Sequence, residues 1–211
     1  MRSMAFLSPI MVCAGLACAA PVSLPYFAAE TVPSVNRPTV RVEKNARMLA
    51  IYVKGDPDRN GDSAIQVLLG HFFAGAGEAE KNESVQPRVR WLLRGASVPR
   101  QAWVAIYGLP VSEGFPAPAT GGAVIDTWAY GLIAESAYAG PYANAQPAVD
   151  SLKAFIGGNG FTLFGALEEV YVRGRGTLDQ GNPAGYLTLI RYRVKELGDF
   201  PPSSLPLSAN P

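Results

Sequence analysis

The apolar residues of this 211-residue chain fall into six blocks typical of β-strands and two typical of α-helices. The strand-like blocks are rich in apolar, β-branched and aromatic residues, and turn-forming residues separate them. They cover residues 47–54, 88–94, 101–107, 130–138, 167–173 and 186–194. The pattern therefore predicts a domain in which strands and helices are mixed.

Two stretches carry apolar residues at the i, i+3, i+4 spacing of one helix face. The first stripe consists of Ile65, Leu68, Leu69, Phe72 and Ala76, and the second of Ala148, Val149, Leu152, Phe155 and Ile156. Asp62 or Ser63 can cap the first helix, and the second can begin near Asn144. Glycines follow both stripes, so each helix is expected to end there.

The order strand-helix-strand-strand occurs twice, in residues 46–112 and again in residues 124–195. Glycines at corresponding positions of the two copies are separated by roughly eighty residues, which is typical of an internal duplication. The sequence therefore predicts an α+β fold built from a duplicated strand-helix-strand-strand unit. Two hairpins and two helices in an unrelated α+β fold are the alternative.

The segments that flank the predicted domain, residues 45–196, differ from it in composition. Residues 1–29 have a positive start, an apolar middle and small residues at the exit, which predicts a signal peptide or an N-terminal membrane anchor. Residues 30–44 are predicted to be a linker and residues 197–211 an extended tail. We therefore expect an exported protein, periplasmic or on the extracellular face, that meets a membrane only through such an anchor.

Charge and composition exclude several classes of function. Lys and Arg number 18 against 17 Asp and Glu, so no strong field attracts nucleic acid, and none is expected as a partner. Both cysteines, Cys13 and Cys18, lie in the leader, and His71 is the only histidine. These residues cannot supply a cysteine hydrolase or an ordinary His/Cys zinc site, so no metal is expected.

Four motifs of the second copy carry a resemblance to a known family. They are Ala139-Gly140-Pro141-Tyr142, the helix end Asn159-Gly160, the segment Glu169-Val170-Tyr171 and the last strand from Leu187 to Val194. In this order and spacing they resemble the GyrI-like small-molecule-binding domains, which also serve as effector-binding domains of bacterial transcription regulators. The resemblance implies one curved antiparallel sheet with two helices on one face and a ligand groove on the other. It also implies that Glu169 is a groove carboxylate that meets cationic aromatic ligands.

Side-chain alternation along the strand 167–173 places Glu169 and Tyr171 on the same face. We expect that face to be the groove, where a carboxylate beside an aromatic ring can receive a flat cation. The repeat alignment makes Arg90 the counterpart of Glu169 in the first copy and places it on the groove face as well. If Arg90 reaches Glu169, the site is neutralised and prefers a neutral or zwitterionic ligand.

Further aromatic side chains are expected near the groove. Tyr142 lies on the strand-to-helix turn that carries the resemblance and is the preferred contact to a ligand, with Tyr107 and Tyr138 as further contacts. The remaining aromatic candidates are Trp103, Trp128 and Tyr130.

These residues predict an exported protein that binds a small organic molecule, planar and cationic or aromatic, with no catalytic residue and no cofactor. One alternative is a haem-binding protein of the SOUL type, a family whose fold is similar to the one predicted here. His71 is the only residue of the sequence that supports it. The other is a hydrolase of reactive small molecules, in which Glu169 is the general base and Tyr171 or Tyr142 orients water. DNA binding is not expected, because the residues before Asn45 read as leader and linker.

Overall fold

Nine β-strands and two α-helices make up the part of the chain that the computed structural model describes, residues 34–77, 85–174 and 181–199. The strands are β1 (Thr39–Glu43), β2 (Ala46–Lys54), β3 (Arg88–Leu93), β4 (Val104–Pro110), β5 (Val124–Trp128), β6 (Gly131–Ala139), β7 (Phe161–Leu163), β8 (Leu167–Arg173) and β9 (Leu187–Glu196). The helices are α1 (Pro57–Gly75) and α2 (Gln146–Gly158). The predicted leader and nearly all of the predicted tail lie outside the described residues.

The strands form one antiparallel sheet in the order β1-β6-β9-β8-β3-β4-β2-β5, and β7 pairs with the end of β9. The strand order is symmetric about its centre. From one edge the second copy contributes β6, β9 and β8, and from the other edge the first copy contributes their counterparts β2, β4 and β3. β8 pairs with β3 at the centre, and β6 matches β2. The predicted α+β fold with a duplicated unit and one curved antiparallel sheet is therefore confirmed.

Strands β5 and β6 lie near opposite edges of the sheet, but only Ala129 and Tyr130 connect them. So short a connection can span the two edges only if the sheet curls strongly. Tyr130 crosses the concave face, where its hydroxyl donates to Glu168 at 3.0 Å and accepts from Arg88 at 2.8 Å. Burial, together with the nearby Glu168 charge, raises the pKa of Tyr130 to about 12. This connection covers the concave face near its centre.

Both helices pack on the convex face of the sheet. α1 lies against β2 and β4, whereas α2 lies against β6, β7 and β9. The predicted stripes supply the contacts, since Ile65, Leu68 and Phe72 of α1 are buried, as are Val149, Leu152 and Ile156 of α2. These side chains join the convex-face residues of the strands in one hydrophobic core, and burial of this apolar surface stabilises the fold.

The N-cap of helix α1 lies six residues before Asp62, the nearer of the two predicted caps. Asp56 is the N-cap, with its carboxylate accepting from the backbone N–H of Asp58, and Pro57 occupies the first turn. The residues from Asp58 to Gly61, which are typical of a turn, therefore lie inside the helix. At Gly61 the close approach of Tyr107 leaves no room for a side chain. A Cβ atom at Gly61 would lie 2.8 Å from the Tyr107 hydroxyl.

The linker prediction is wrong for Thr39–Glu43, which form the edge strand β1 paired with β6. This segment has β-branched Val40 and Val42 alternating with charged residues, which is enough for a strand when a partner edge is available. Arg41 then reaches the buried Glu135 with a 2.7 Å bond, and Arg191 bonds the same carboxylate at 2.7 Å. The domain therefore starts before residue 45.

The two copies share local details that support their common origin. The N–H of Gly55 donates to the Trp103 carbonyl and the N–H of Gly140 to the Tyr186 carbonyl, both at 2.9 Å. Both glycines have positive φ angles, 130° and 135°. The sheet also has a bulge in each copy, between residues 91 and 93 and between residues 171 and 173.

Within the described residues, no helix combines the length and the apolarity that crossing a bilayer requires.

Candidate functional site

A pocket of about 800 Å³ opens on the convex face, between the two helices. Ile65 lines it from α1 and Val149 from α2, while Trp91 of β3 and Glu169 and Tyr171 of β8 also line it. Glu169 and the pocket that it lines are therefore on the helix-covered face and not on the opposite face, where Glu169 was expected. Antiparallel neighbours project to the same side, so Glu169 shares the helix-covered face with its partner Val89.

Two aromatic clusters contribute to the walls of the pocket. In the first, the Trp91 ring lies 5.5 Å from Trp103 and 6.4 Å from Tyr107, both in edge-on geometry. In the second, the Tyr142 ring lies 5.0 Å from Tyr171. Apolar walls with a few polar groups are typical of sites for small organic molecules.

A buried ion pair lies between these clusters. Nη1 of Arg94 is 2.5 Å from Oε1 of Glu169, and the side chains are 18% and 7% exposed. The Tyr171 hydroxyl donates to the other carboxylate oxygen at 3.3 Å. Both oxygens of Glu169 therefore have a partner before any ligand arrives.

The cation that neutralises Glu169 is Arg94, and the prediction that Arg90 lies on the groove face is wrong. Strand β3 has a bulge in which Leu92 is the extra residue, since Trp91 pairs with Ala105 and Leu93 pairs with Val104. The extra residue reverses the alternation, so Arg94 turns to the convex face. Arg90 stays on the concave face and bonds Glu168 at 2.7 Å.

The phenols near the ion pair stay protonated at physiological pH. Burial raises the pKa of Tyr171 well above its usual value, and the charge of Glu169 adds to this effect. Burial also raises the pKa of Tyr192, another lining residue, to about 12. Both hydroxyls are therefore neutral hydrogen-bonding groups in the pocket.

The rim of the pocket is charged. Arg100 is 2.6 Å from Asp58 and 3.0 Å from Asp56 at the start of α1, and its guanidinium lies 5.2 Å from the centre of the Trp103 ring. On α2, the exposed Lys153 has its Nζ 5.9 Å from the Tyr192 ring centre. The entrance therefore carries charges of both signs.

The remaining predicted residues divide between the pocket and other places. Tyr142 and Tyr107 line the pocket, as Glu169 and Tyr171 do. Tyr138 does not line it and instead donates to the Pro141 carbonyl at 3.1 Å. His71 lies on α1 outside the lining, next to Gly121, where an added Cβ atom would come within 2.7 Å of Nε2.

Sequence reasoning did not single out Arg94, Trp91 or Tyr192 as site residues. A plain alternation of faces places Arg94 on the same side as Arg90, whereas the bulge separates the two and brings Arg94, not Arg90, to Glu169. The strand-ending Arg94-Gly95, which recurs as Arg173-Gly174, was visible as a landmark of the repeat. A bulge is difficult to predict because Leu92 is compatible with a regular strand.

No family model matches this chain, and no curated protein matches it. Solved structures do match. An uncharacterized conserved protein from Listeria innocua has a TM-score of 0.63 at 17% identity, over 77% of this chain and 94% of that chain. A hydrolase from Listeria innocua has a TM-score of 0.61 at 17% identity, over 78% and 94%. The EcmrR C-terminal domain has a TM-score of 0.61 at 12% identity, over 76% and 98%.

These likenesses show that the chain shares its fold with these proteins. EcmrR in its complex with DNA has a TM-score of 0.63 at 13% identity. That match covers 76% of this chain but 57% of the EcmrR chain, so the likeness extends over only a part of EcmrR.

Proposed function

We propose that this protein binds a small, flat organic molecule in the pocket between α1 and α2, without transforming it. The observation that carries the proposal is a pocket of about 800 Å³ that combines two aromatic clusters with one buried ion pair. Aromatic side chains provide large stacking surfaces, and a few fixed polar groups orient what is bound. By analogy, the fold shared with the EcmrR C-terminal domain and the sequence resemblance to GyrI-like small-molecule-binding domains support the same function.

The ion pair favours a neutral or zwitterionic ligand over a simple cation. The guanidinium of Arg94 already compensates the charge of Glu169, so a cation that enters beside it gains little net attraction. A molecule with both a donor and an acceptor can instead bond to the pair at its edge without leaving a charge uncompensated. This preference differs from the cation binding that the GyrI-like resemblance implies.

Equilibrium titration of the purified protein with a panel of planar aromatic compounds tests the proposal. The panel pairs each neutral compound with a cationic analogue of the same shape. We expect saturable binding with a preference for the neutral or zwitterionic member, and a loss of at least about tenfold in affinity when Tyr142 is replaced by alanine. An absence of saturable binding across the panel contradicts the proposal.

Hydrolysis is the second candidate, favoured by the contact between Glu169 and Tyr171 and by the neighbour described as a hydrolase. A general base needs an oxygen that can take a proton from water. Here Arg94 and Tyr171 engage the two carboxylate oxygens, which favours binding over turnover. Turnover of an electrophilic ester that is lost in Glu169→Gln would establish the enzyme instead.

Export is a further part of the proposal and is supported by the composition of residues 1–29. Fractionation of cells that make the full chain tests it. We expect the protein in the periplasm or at the outer side of a membrane, and recovery in the cytoplasm alone contradicts it.

A further inference from the structure

Arg94 contacts two aromatic rings and a carboxylate at the same time. Its guanidinium lies 5.0 Å from the centre of the Trp91 ring and 5.4 Å from that of Trp103. The same group forms the 2.5 Å ion pair with Glu169. A flat cation between aromatic rings and a buried carboxylate is the arrangement in which a planar cationic ligand is bound.

We propose that Arg94 occupies, from within the chain, a subsite for planar organic cations of the amidinium or guanidinium class. The subsite consists of Glu169, Trp91 and Trp103, and Arg94 acts as its built-in competitor. Arg94 is therefore the residue that determines the specificity of the pocket. This inference rests on the proposed function, because it concerns the same pocket.

The two partners of the ion pair are fixed to different degrees. Glu169 lies in the middle of β8, in the centre of the sheet, and its side chain is 7% exposed. Arg94 follows the last residue of β3, has a more exposed side chain and is followed by Gly95, where an added Cβ atom would meet nothing within 4 Å. Arg94 can therefore turn outward while Glu169 stays in place.

Exchange of Arg94 for a ligand keeps the charges balanced. The displaced guanidinium returns to water, where it is solvated, and the ligand cation takes over the carboxylate and the stacking surface. A cation that is not flat, such as an alkylammonium ion, cannot reproduce the stacked geometry. The subsite therefore selects both charge and planarity, and Arg94 weakens the binding of every cation that must displace it.

Calorimetric titration of Arg94→Met with benzamidine and with its neutral analogue benzamide tests the inference. Methionine keeps much of the length of the side chain but removes the charge. We expect benzamidine to bind Arg94→Met at least about tenfold more tightly than wild type, the effect of one charge-assisted hydrogen bond. Benzamide should change by less than about threefold. Arg173→Met is the matched control, because Arg173 ends the equivalent strand β8 outside the pocket.

The double variant Arg94→Met/Glu169→Gln should lose the gain for benzamidine, because the carboxylate is gone. If Arg94→Met does not fold without a partner for Glu169, Arg94→Lys is used instead; lysine keeps a charge beside Glu169 but lacks the flat stack, so benzamidine should still gain affinity, by less than in Arg94→Met. Benzamidine should also raise the melting temperature of the variant that folds by more than it raises that of wild type, whereas the increase caused by benzamide should be similar in both.

Equal benzamidine affinity for wild type and for the folded Arg94 variant overturns the inference, as does a gain that survives Glu169→Gln. Failure of the proposed function has a different signature. In that case neither benzamide nor any other flat compound binds wild type or the variants. Binding of neutral compounds that Arg94→Met leaves unchanged, without a gain for benzamidine, overturns only the role of Arg94.

Discussion

Glu169 and the adjacent Glu168 have the same side chain but different surroundings, and therefore different roles. The side chain of Glu169 is 7% exposed, and burying a charge in this way is costly unless the charge is paired. Arg94 and the Tyr171 hydroxyl provide that pairing. The adjacent Glu168 has the same chemistry but serves the concave face, where it pairs with Arg90. Position within the strand therefore decides which of two glutamates belongs to the pocket.

Glu169→Gln should reduce stability, because it leaves the guanidinium of Arg94 without its carboxylate. We expect the free energy of unfolding to fall by about 2 kcal/mol, since Arg94 can turn to water and recover part of its solvation. Urea denaturation of the variant and of wild type provides the measurement. The control is Glu113→Gln at an exposed loop position, which should stay within about 0.5 kcal/mol of wild type. An equal effect of the two changes contradicts the role assigned to the pair.

The buried tyrosines predict a loss of stability in alkaline solution. In the folded protein the pKa of Tyr130 and that of Tyr192 are about 12, whereas in the unfolded chain a tyrosine has a pKa of about 10. Between these values the unfolded chain binds fewer protons than the folded one, so stability falls as pH rises. Each such tyrosine contributes a slope of about 1.4 kcal/mol per pH unit.

Denaturation curves across this alkaline range measure the slope. Tyr192→Phe should make it shallower by the contribution of one tyrosine. An unchanged slope in Tyr192→Phe contradicts the shift at that residue.

The bulge in β3 is the element that assembles the site. By inserting Leu92, the strand directs Arg94 toward Glu169, while the residues before the bulge keep the register with β8. The second bulge, in β8, lies at positions that are 80 residues further along, at 171 and 173. Duplication of the unit has therefore preserved the bulge, but only the first copy has an arginine directed into the pocket.

Deletion of Leu92 should separate Arg94 from Glu169, because the regular alternation would return Arg94 to the concave face. We expect a loss of stability at least as large as that of Glu169→Gln and the loss of ligand selectivity. Leu92→Ala is the matched control, since Leu92 is 51% exposed and its truncation removes few contacts. A deletion variant as stable as Leu92→Ala contradicts the role of the bulge.

Periodicity predicted the long elements well and the local irregularities poorly. The stripe from Val149 to Ile156 predicted α2, because an amphipathic face determines a helix almost regardless of its surroundings. The short strands β1, β5 and β7 depend on a neighbouring strand to pair with, so their own residues carry a weak signal. The face of the pocket was also misassigned, because alternation states which residues share a side and not which side the helices cover.

The pocket lies at the junction of the two similar halves of the described chain. Its walls are different because Trp91 and Trp103 come from the first copy and Tyr142 and Tyr171 from the second. Each cluster is held by the same frame of strands and helix, while the ion pair bridges the halves. A pocket of this kind depends on both copies, and a change at either wall should affect binding.

Filling the entrance should abolish binding while the fold stays intact. Ala143 is exposed and lines the pocket, so Ala143→Phe places a ring in the space of a ligand. We expect at least about a tenfold loss of affinity with a change in stability below about 1 kcal/mol. Ala154→Phe, at an exposed position of α2 outside the lining, should bind as wild type does. Full binding by Ala143→Phe contradicts the location of the site.

Tryptophan fluorescence tests the central claim most directly, because two of the three tryptophans, Trp91 and Trp103, line the pocket. The third, Trp128, packs in a separate cluster on the concave face, and Trp128→Phe removes its signal. Titration of this variant with flat neutral and zwitterionic aromatic compounds should give a saturable change in emission that Ala143→Phe abolishes. An emission that stays constant across the panel, or a change that persists unaltered in Ala143→Phe, contradicts ligand binding between the helices.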